Sequence, residues 1–157
     1  MRRFITTRVR PMVDVDLALH TLLVDAFANT AVRVDSVFPG ADRLPALVVG
    51  RAGGTQDFPA GGVDRPRIDL DAYALRRQAS IVLLGDALAF LYGCEGMSVL
   101  MRDGTRFVFA TVDAESGLIT GQDEDTAAFR ATSSVVLTIH QLAPRLADEE
   151  TRIGGTL

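Results

Sequence analysis

The alternation of apolar and polar residues in the first half of the chain predicts two neighbouring β-strands. Apolar positions alternate with small or polar ones over residues 45–51 and again over residues 67–73, which is the period-two pattern of strands with one buried face. The glycine-rich residues 53–64 separate them, and this stretch is longer than the roughly two to five residues that close an ordinary hairpin. We therefore predict two strands joined by a long loop that contacts another molecule.

Helical spacing of apolar residues predicts two helices. Asp14 offers an N-cap oxygen and apolar residues then recur every three or four positions, so residues 14–29 are predicted to form an amphipathic helix over one sheet face. A second apolar stripe, over residues 75–93, is so wide that we expect its helix to be covered on most sides. Its interior Gly85 costs about 1 kcal/mol relative to alanine, which close packing against the sheet or a neighbouring subunit would offset.

The remaining pattern predicts further strands and completes the fold class. Residues 32–38 form a first strand, residues 97–112 a hairpin that turns at 103–104, and residues 129–139 a last strand. The acidic residues 115–126 are expected to be a mobile connection. This order predicts an α+β fold with two helices packed on a mainly antiparallel sheet. We expect a single domain at 14–142, a flexible basic arm at 1–13 and a flexible tail at 143–157.

Composition narrows the classes of function. All 16 basic residues are arginine, which excludes Schiff-base lysines, phosphate-loop lysines and serine-lysine dyads. The net charge of -4 argues against a generally basic surface, and no specific nucleic-acid partner is expected. No apolar run approaches the eighteen or so residues of a membrane span, so no membrane partner is expected. The single Cys94 and the lack of an apolar signal core near the amino terminus predict an internal, reducing compartment.

Candidate catalytic side chains are few and scattered. His20 lies on the margin of the first apolar stripe and is interpreted as a partly buried structural residue, and His140, on the polar face of the last strand, as a solvated one. Cys94 follows a helix C-terminus, whose dipole disfavours a thiolate. We therefore predict no enzymatic activity, no cofactor and no metal.

Two other patterns have both a structural and a functional interpretation. The glycines within residues 50–54 could cradle a phosphate, but they lead into another strand and not into a helix N-terminus, so nucleotide binding is disfavoured. Asp69 and Asp71 share one strand face and could flank a divalent ion, but pairing with arginines such as Arg65 and Arg67 is favoured. The basic arm could contact nucleic acid or an acidic neighbour, although a solvated terminus is the favoured interpretation.

The layout of these elements resembles the tail terminator, or tail completion, proteins of long-tailed bacteriophages and related gene-transfer particles. The resemblance rests on an N-terminal helix, a strand, the strand PALVVGR at 45–51, a long loop, the strand RIDLDAY at 67–73, an alanine-rich helix at 79–93 and a late strand at 134–141. Residues 97–101 and 115–126 look longer than the corresponding segments of the family's compact members.

This resemblance implies a structural virion protein that assembles into a ring, usually a hexamer. The ring caps the tail tube, ends its polymerisation and joins the tail to the head connector. The implied partners are further copies of the chain, the tail tube protein and the head-tail connector protein, and the implied location is the neck of the virion tail after assembly in the bacterial host cytoplasm. The long loop is implied to form the contact surface, and the expected protein-interface residues are Arg51, Gly53, Gly54, Asp57, Phe58, Arg65 and Arg67. Phe58 is expected to be an apolar anchor, and the charged groups to set the register.

A ring of identical subunits needs two different patches that fit one another around a closed rotation. The long loop is one candidate, and the open edge of the sheet or the outer face of the second helix is the other. Two alternatives stay open. One is a head-side connector or adaptor of the same particle. The other is a small intracellular enzyme whose site lies between subunits and gathers His20 or His140 with acidic residues.

Overall fold

The computed structural model describes residues 14–57, 62–101, 104, 106–123 and 126–142, with residues 56 and 57 described by their backbone only. Within these residues the chain forms two α-helices and seven β-strands. In chain order they are α1 (Val15–Ala26), β1 (Arg33–Asp35), β2 (Ala46–Asp57), β3 (Val63–Ala74), α2 (Arg77–Gly93), β4 (Ser98–Leu100), β5 (Arg106–Ala114), β6 (Ile119–Gln122) and β7 (Phe129–Leu142). The predicted arm at 1–13 and tail at 143–157 lie outside the described residues.

The described strands form one sheet in the order β1-β2-β3-β7-β5-β4, and β6 pairs with β7 on the same side as β5. The short β1 runs parallel to β2, whereas β2–β3, β3–β7, β4–β5, β5–β7 and β6–β7 are antiparallel. The α+β fold with two helices on a mainly antiparallel sheet is therefore confirmed. The central position of the long β7, between β3 and β5, joins the two halves of the chain.

The core lies between the two helices and one face of the sheet. Ile68 of β3 is in register with Val135 of β7, and both side chains have no exposed surface. The same face carries the fully buried Phe107 and Phe109 of β5, whose rings meet edge to face at 5.2 Å. Because successive residues of a strand point to opposite faces, this burial pattern assigns the other face to the intervening polar residues. Apolar burial at roughly 25 cal/mol per Å² is the main stabilising contribution.

Helix α1 starts as predicted and ends earlier. The Asp14 carboxylate accepts the backbone N–H of Leu17 at 3.0 Å, which caps the first turn. The helix ends at Ala26 and not at Asn29, and Phe27 at its C-terminal cap is 8% exposed. Phe27 lies four residues after Leu23, so the buried stripe of α1 extends into the C-terminal cap.

Helix α2 is covered on one side only, so the prediction that it is covered on most sides is wrong. Ser80, Leu83, Leu84, Ala87 and Leu91 are buried against the sheet. Val82 is 50% exposed and Tyr92 is 41% exposed on the opposite side. The stripe was wide because some apolar residues of α2 face solvent in the protomer, and the sequence pattern alone does not separate these from core residues.

Three irregularities lie side by side across the middle of the sheet. β2 carries a bulge between Arg51 and Gly53, and β5 carries one between Phe109 and Thr111. Between them, the β3–β7 ladder is interrupted next to Pro66, which lacks a backbone N–H. Bulges bend strands and increase their twist, so this row bends the sheet and reorients the end of the β2–β3 hairpin.

Two predicted loops contain strands. Residues 115–126 were expected to be a mobile connection, yet Ile119–Gln122 form β6 and pair with the start of β7. The stretch 53–64 was expected to be a long loop, yet β2 continues to Asp57 and β3 begins at Val63. In both cases the hydrogen bonds of a neighbouring strand outweigh weak β propensity, since ladder partners are invisible in a local sequence pattern.

Candidate interaction surfaces

The predicted contact loop is the paired end of a β-hairpin. Five residue pairs, from Gly53 opposite Arg67 to Asp57 opposite Val63, continue the β2–β3 ladder beyond the bulge. On its other side β3 is supported by β7, where Val63 lies opposite His140 and Asp64 opposite Ile139. The surface expected to be a long loop is therefore, up to Asp57 and from Val63, a paired part of the sheet.

Gly53 and Gly54 shape this arm and provide no side-chain contacts. Gly54 has a φ of 109°, which is strained for any residue with a Cβ. A Cβ at Gly54 would also come within 2.1 Å of the Arg65 carbonyl oxygen. Gly53 has a φ of 140°, but a Cβ there would meet no atom within 4 Å. The two predicted interface glycines therefore serve the backbone geometry of the bulge.

Arg51 is engaged within the protomer and is not a free contact residue. Its guanidinium donates two hydrogen bonds to the Asp64 carboxylate, at 2.8 and 2.9 Å. Its Nε donates to the Gly53 carbonyl at 3.1 Å, and its backbone N–H donates to the Asp16 carboxylate of α1 at 2.8 Å. The side chains of Arg51 and Asp64 are only 21% and 14% exposed. Arg51 therefore fixes the hairpin end to β3 and to the start of α1.

The other predicted contact residues differ in their surroundings. Arg65 is exposed and has no ion-pair partner in the described part of the chain. Arg67 lies between two carboxylates, with its Nε 3.0 Å from Glu115 and 3.5 Å from Asp69. Phe58 lies outside the described residues, and Asp57 is described by its backbone alone. Among the predicted charged residues whose side chains are described, Arg65 is thus the one without an ion pair to another described residue.

The uncovered face of the sheet carries paired charges, as predicted for Asp69 and Asp71. The Asp71 carboxylate accepts two hydrogen bonds from Arg130 Nη2 at 2.8 Å each and one from Nε at 3.0 Å. Asp69 accepts a hydrogen bond from the Ser134 hydroxyl at 2.6 Å. Arg67 pairs with Asp69 as expected, but the partner of Asp71 is Arg130 and not Arg65. Arg130 lies 59 residues away in sequence and faces Tyr73 in the β3–β7 ladder, diagonally across from Asp71, so only the register brings it there.

An aromatic cluster closes one end of this face. The Phe38 ring lies 4.6 Å from the Tyr73 ring, and the Arg130 guanidinium lies 5.8 Å above the Tyr73 ring. Burial raises the pKa of Tyr73, the positive charge of Arg130 opposes that rise, and the carboxylates of Asp71 and Asp123 add to it. Burial by itself would lower the pKa of Arg130, but its hydrogen bonds to Asp71 and the nearby negative charges raise it. Arg130 therefore stays charged.

Carboxylates from the helical layer cap both sides of the sheet. Asp16 of α1 accepts the Arg51 N–H of β2, and the Glu95 carboxylate, just after α2, accepts the Val112 N–H of β5 at 3.3 Å. Unpaired edge groups invite pairing with other chains, and such caps restrict it. Neither residue stood out in the sequence, because each contact joins positions that are distant along the chain. Nothing in the local pattern could have indicated them.

The outer face of α2 is one of the two candidates for the second patch, and it carries exposed apolar residues together with the polar Gln78 and Asp86. Leu75, just before the helix, is 70% exposed, and Val82 and Tyr92 of the helix are 50% and 41% exposed. Gly85 is exposed too, and a Cβ added there would meet nothing within 4 Å. Close packing within the protomer therefore does not offset the helical cost of Gly85.

The histidines and the cysteine do not converge. His20 is half-buried, and its Nε2 lies 3.1 Å from the Val34 carbonyl oxygen of β1, while His140 is exposed on β7. The strand registers place Val34 of β1 level with Ala131 of β7. His140 lies nine residues further along β7, so the two histidines are about 30 Å apart at 3.3 Å per residue. Cys94 is buried, and burial raises the pKa of its thiol. These three predictions are confirmed, although burial and not the helix dipole is the cause at Cys94.

Two further observations concern the described residues as a whole. No three His, Cys, Asp or Glu side chains among residues 14–57, 62–101, 104, 106–123 and 126–142 lie together as a metal site. In the same part of the chain, neither helix has the length and apolar character needed to cross a membrane. The sequence matches no protein-family model, and no curated protein is detectably similar to it.

Proposed function

We propose that this chain is a structural subunit of a bacteriophage-type particle, which assembles into a ring and caps the tail tube. The observation that carries the proposal is the ordered end of the β2–β3 hairpin, held by the Arg51–Asp64 pair and shaped by two glycines. A hairpin fixed in this way loses less conformational entropy on binding than a flexible loop would. The resemblance in layout to tail terminator proteins implies that the partners are the tail tube and the head connector of such a particle.

A second surface on the protomer is compatible with a ring. The outer face of α2, with Val82 and Tyr92, is made of residues distinct from those of the hairpin end. Two different patches on one protomer are what a heterologous, closed ring requires. We propose that the hairpin end of one subunit contacts the outer face of α2 in the next, with Arg65 at the border of the contact.

Several charged side chains of the described residues are engaged in pairs that stabilise the fold, which is consistent with an assembly role. Arg51 binds Asp64, Arg130 binds Asp71, and Arg67 lies between Asp69 and Glu115. Catalytic groups need instead to converge on one reacting atom with matched pKa values. The enzyme alternative would need His20 or His140 to gather acidic residues between subunits, whereas the described contact of His20 is with the Val34 carbonyl of its own protomer.

The test is the oligomeric state of the purified protein, measured by native mass spectrometry and electron microscopy. The proposal expects a closed ring. Replacement of residues 58–62 by Asn-Gly keeps every described hairpin pair and Asp64 while removing the tip. We expect this variant to be a folded monomer, and a variant that still forms full rings would contradict the role of the hairpin end.

A mixing experiment examines whether the two patches meet. Val82→Asp should prevent the other half of the contact, because Val82 is half exposed on the outer face of α2. In a mixture of the two variants, the Val82→Asp subunit still has an intact hairpin end and the shortened subunit still has an intact α2 face. One contact can therefore form between them, so dimers are expected and rings are not. Rings in the mixture would exclude a head-to-tail contact between these patches. Binding of wild-type rings to purified tail tube protein, compared with purified connector protein, then separates a terminator from a head-side adaptor.

A further inference from the structure

Among the described residues, no strand covers the outer edge of β2 beyond its bulge. The parallel strand β1 covers only Ala46–Val48 of β2. Asp16 then accepts the Arg51 N–H, and the Arg51 side chain donates to the Gly53 carbonyl. From residue 54 to residue 57, no strand or side chain of the described residues pairs with this edge, although β3 pairs with the other side. An edge that a protein leaves open in this way is a template for one more strand.

The residues of this edge leave room for another strand. Positions 52–55 carry alanine, two glycines and threonine, and all four are exposed. Edges that resist pairing usually carry long charged side chains or proline, and these positions have neither. The bulge at Ala52 separates this open stretch from the part of β2 that α1 and β1 already cover.

We propose that the open edge of β2 binds residues 3–9 of the same chain, which add to it as a short antiparallel strand. This inference does not rest on the proposed function. Helix α1 begins at Val15, and Asp16 in its first turn contacts the Arg51 N–H. The start of α1 therefore lies beside the sheet where the open edge begins. An arm that leads away from that point toward Asp57 runs opposite to β2, which sets the antiparallel direction.

The sequence of the arm suits this position. Residues 4–10 read FITTRVR, in which five of seven residues are aromatic or β-branched, and Pro11 then ends the strand pattern before α1. Seven extended residues span about 23 Å, and the four-residue edge from 54 to 57 needs only about 13 Å. Residues 1–13 carry four arginines and no acidic residue, whereas Asp14 and Asp16 lie at the junction. Attachment to the same chain gives the arm a high effective concentration at the edge compared with the arm of another copy.

Disulfide trapping tests the proposed pairing directly. Thr7→Cys with Thr55→Cys in a Cys94→Ala background should form a disulfide on mild oxidation, because facing strands place Cβ atoms about 4 to 5 Å apart. Thr6→Cys and Ile5→Cys with the same Thr55→Cys examine the neighbouring registers. The matched control pairs Thr7→Cys with Ala89→Cys on the exposed side of α2. We expect one of the three registers to give at least tenfold more disulfide within a single chain than the control pair gives.

Two outcomes of the trapping experiment would overturn the inference. One is cross-linking no greater than the control in all three registers. The other is cross-linking that yields only covalent dimers, which would assign the edge to the arm of another copy. Both are measured at protein concentrations where the chain is monomeric, so a failure to form rings leaves this result unaffected.

Hydrogen exchange gives a second, independent measurement. Deletion of residues 2–10 should accelerate amide exchange within residues 54–57 at least tenfold, while the edge strand β4 (Ser98–Leu100) keeps its exchange rate as an internal control. A synthetic peptide of residues 2–10, added in excess to the deletion variant, should restore the slow exchange. Equal exchange in the full-length and shortened chains would refute the proposed strand.

Discussion

Gly54 provides the most discriminating perturbation of the hairpin, through its replacement by alanine. The new Cβ would lie 2.1 Å from the Arg65 carbonyl oxygen, 2.7 Å from Pro66 Cα and 2.8 Å from the Arg67 nitrogen. All three are backbone atoms of the paired strand, so no side chain can rotate away to relieve the contact. The φ of 109° adds a conformational cost of about 1 to 3 kcal/mol for a residue with a Cβ.

The expected loss of unfolding free energy for Gly54→Ala is about 2 to 4 kcal/mol. The chain can escape the collision only by opening the hairpin end, which also removes the charge-assisted Arg51–Asp64 hydrogen bonds. A hydrogen bond to a charged group contributes about 1.5 to 3 kcal/mol to stability. At about 3 °C per kcal/mol for a chain of this size, the melting temperature should fall by about 6 to 12 °C.

Two other glycines serve as matched controls in the same urea and thermal unfolding assays. Gly53→Ala shares a positive φ but meets no atom within 4 Å, so it should cost about 1 kcal/mol. Gly85→Ala lies on the exposed side of α2 with open space around it, so it should stabilise the protein by up to about 1 kcal/mol. A Gly54→Ala variant as stable as wild type, or more stable than Gly53→Ala, would refute the close-approach account of the hairpin.

Two further predictions concern the charged and ionisable groups. Asp64→Asn should lower the unfolding free energy by about 1 to 3 kcal/mol, because it weakens a partly buried bidentate pair. The surface control Asp42→Asn, whose pair spans 3.9 Å at an exposed site, should change it by less than about 0.5 kcal/mol in the same urea titration; equal effects would contradict the role of the pair. Since burial raises the folded-state pKa of Tyr73 above its ordinary value of 10.0, its contribution to stability is complete below pH 10 and is lost as the pH rises beyond it. Tyr73→Phe should therefore flatten the decline of unfolding free energy between about pH 10 and 12, and an unchanged slope would refute this assignment.

Local physical chemistry made much of the fold predictable. The N-cap at Asp14 and the strand alternation around residues 45–51 and 67–73 depend on neighbours in sequence. The turn that contains Gly104, with a φ of 85°, also follows from local backbone preference. These elements were predicted correctly because their main determinants lie within a few residues.

The contact surface was predicted less well, because its structure depends on pairing between strands that are separate in sequence. The glycines of residues 53–54 indicated a loop, since glycine weakens isolated strands. Pairing with β3 and a bulge turned the same residues into part of a hairpin. Arg51 was expected to face a partner, but the register places Asp64 within reach of its guanidinium, and that pairing uses the donors a partner would need.

The sequence by itself determined most of the elements, the α+β class and the absence of lysine chemistry, because propensity, periodicity and composition are properties of short segments and of residue types. Only the tertiary structure decided which charges pair, which edge of the sheet stays open and which side of α2 remains exposed. Those outcomes depend on strand register and helix placement, which bring residues such as Asp71 and Arg130 together from distant parts of the chain. Such contacts are set by the packing of the whole core, and no local pattern encodes them.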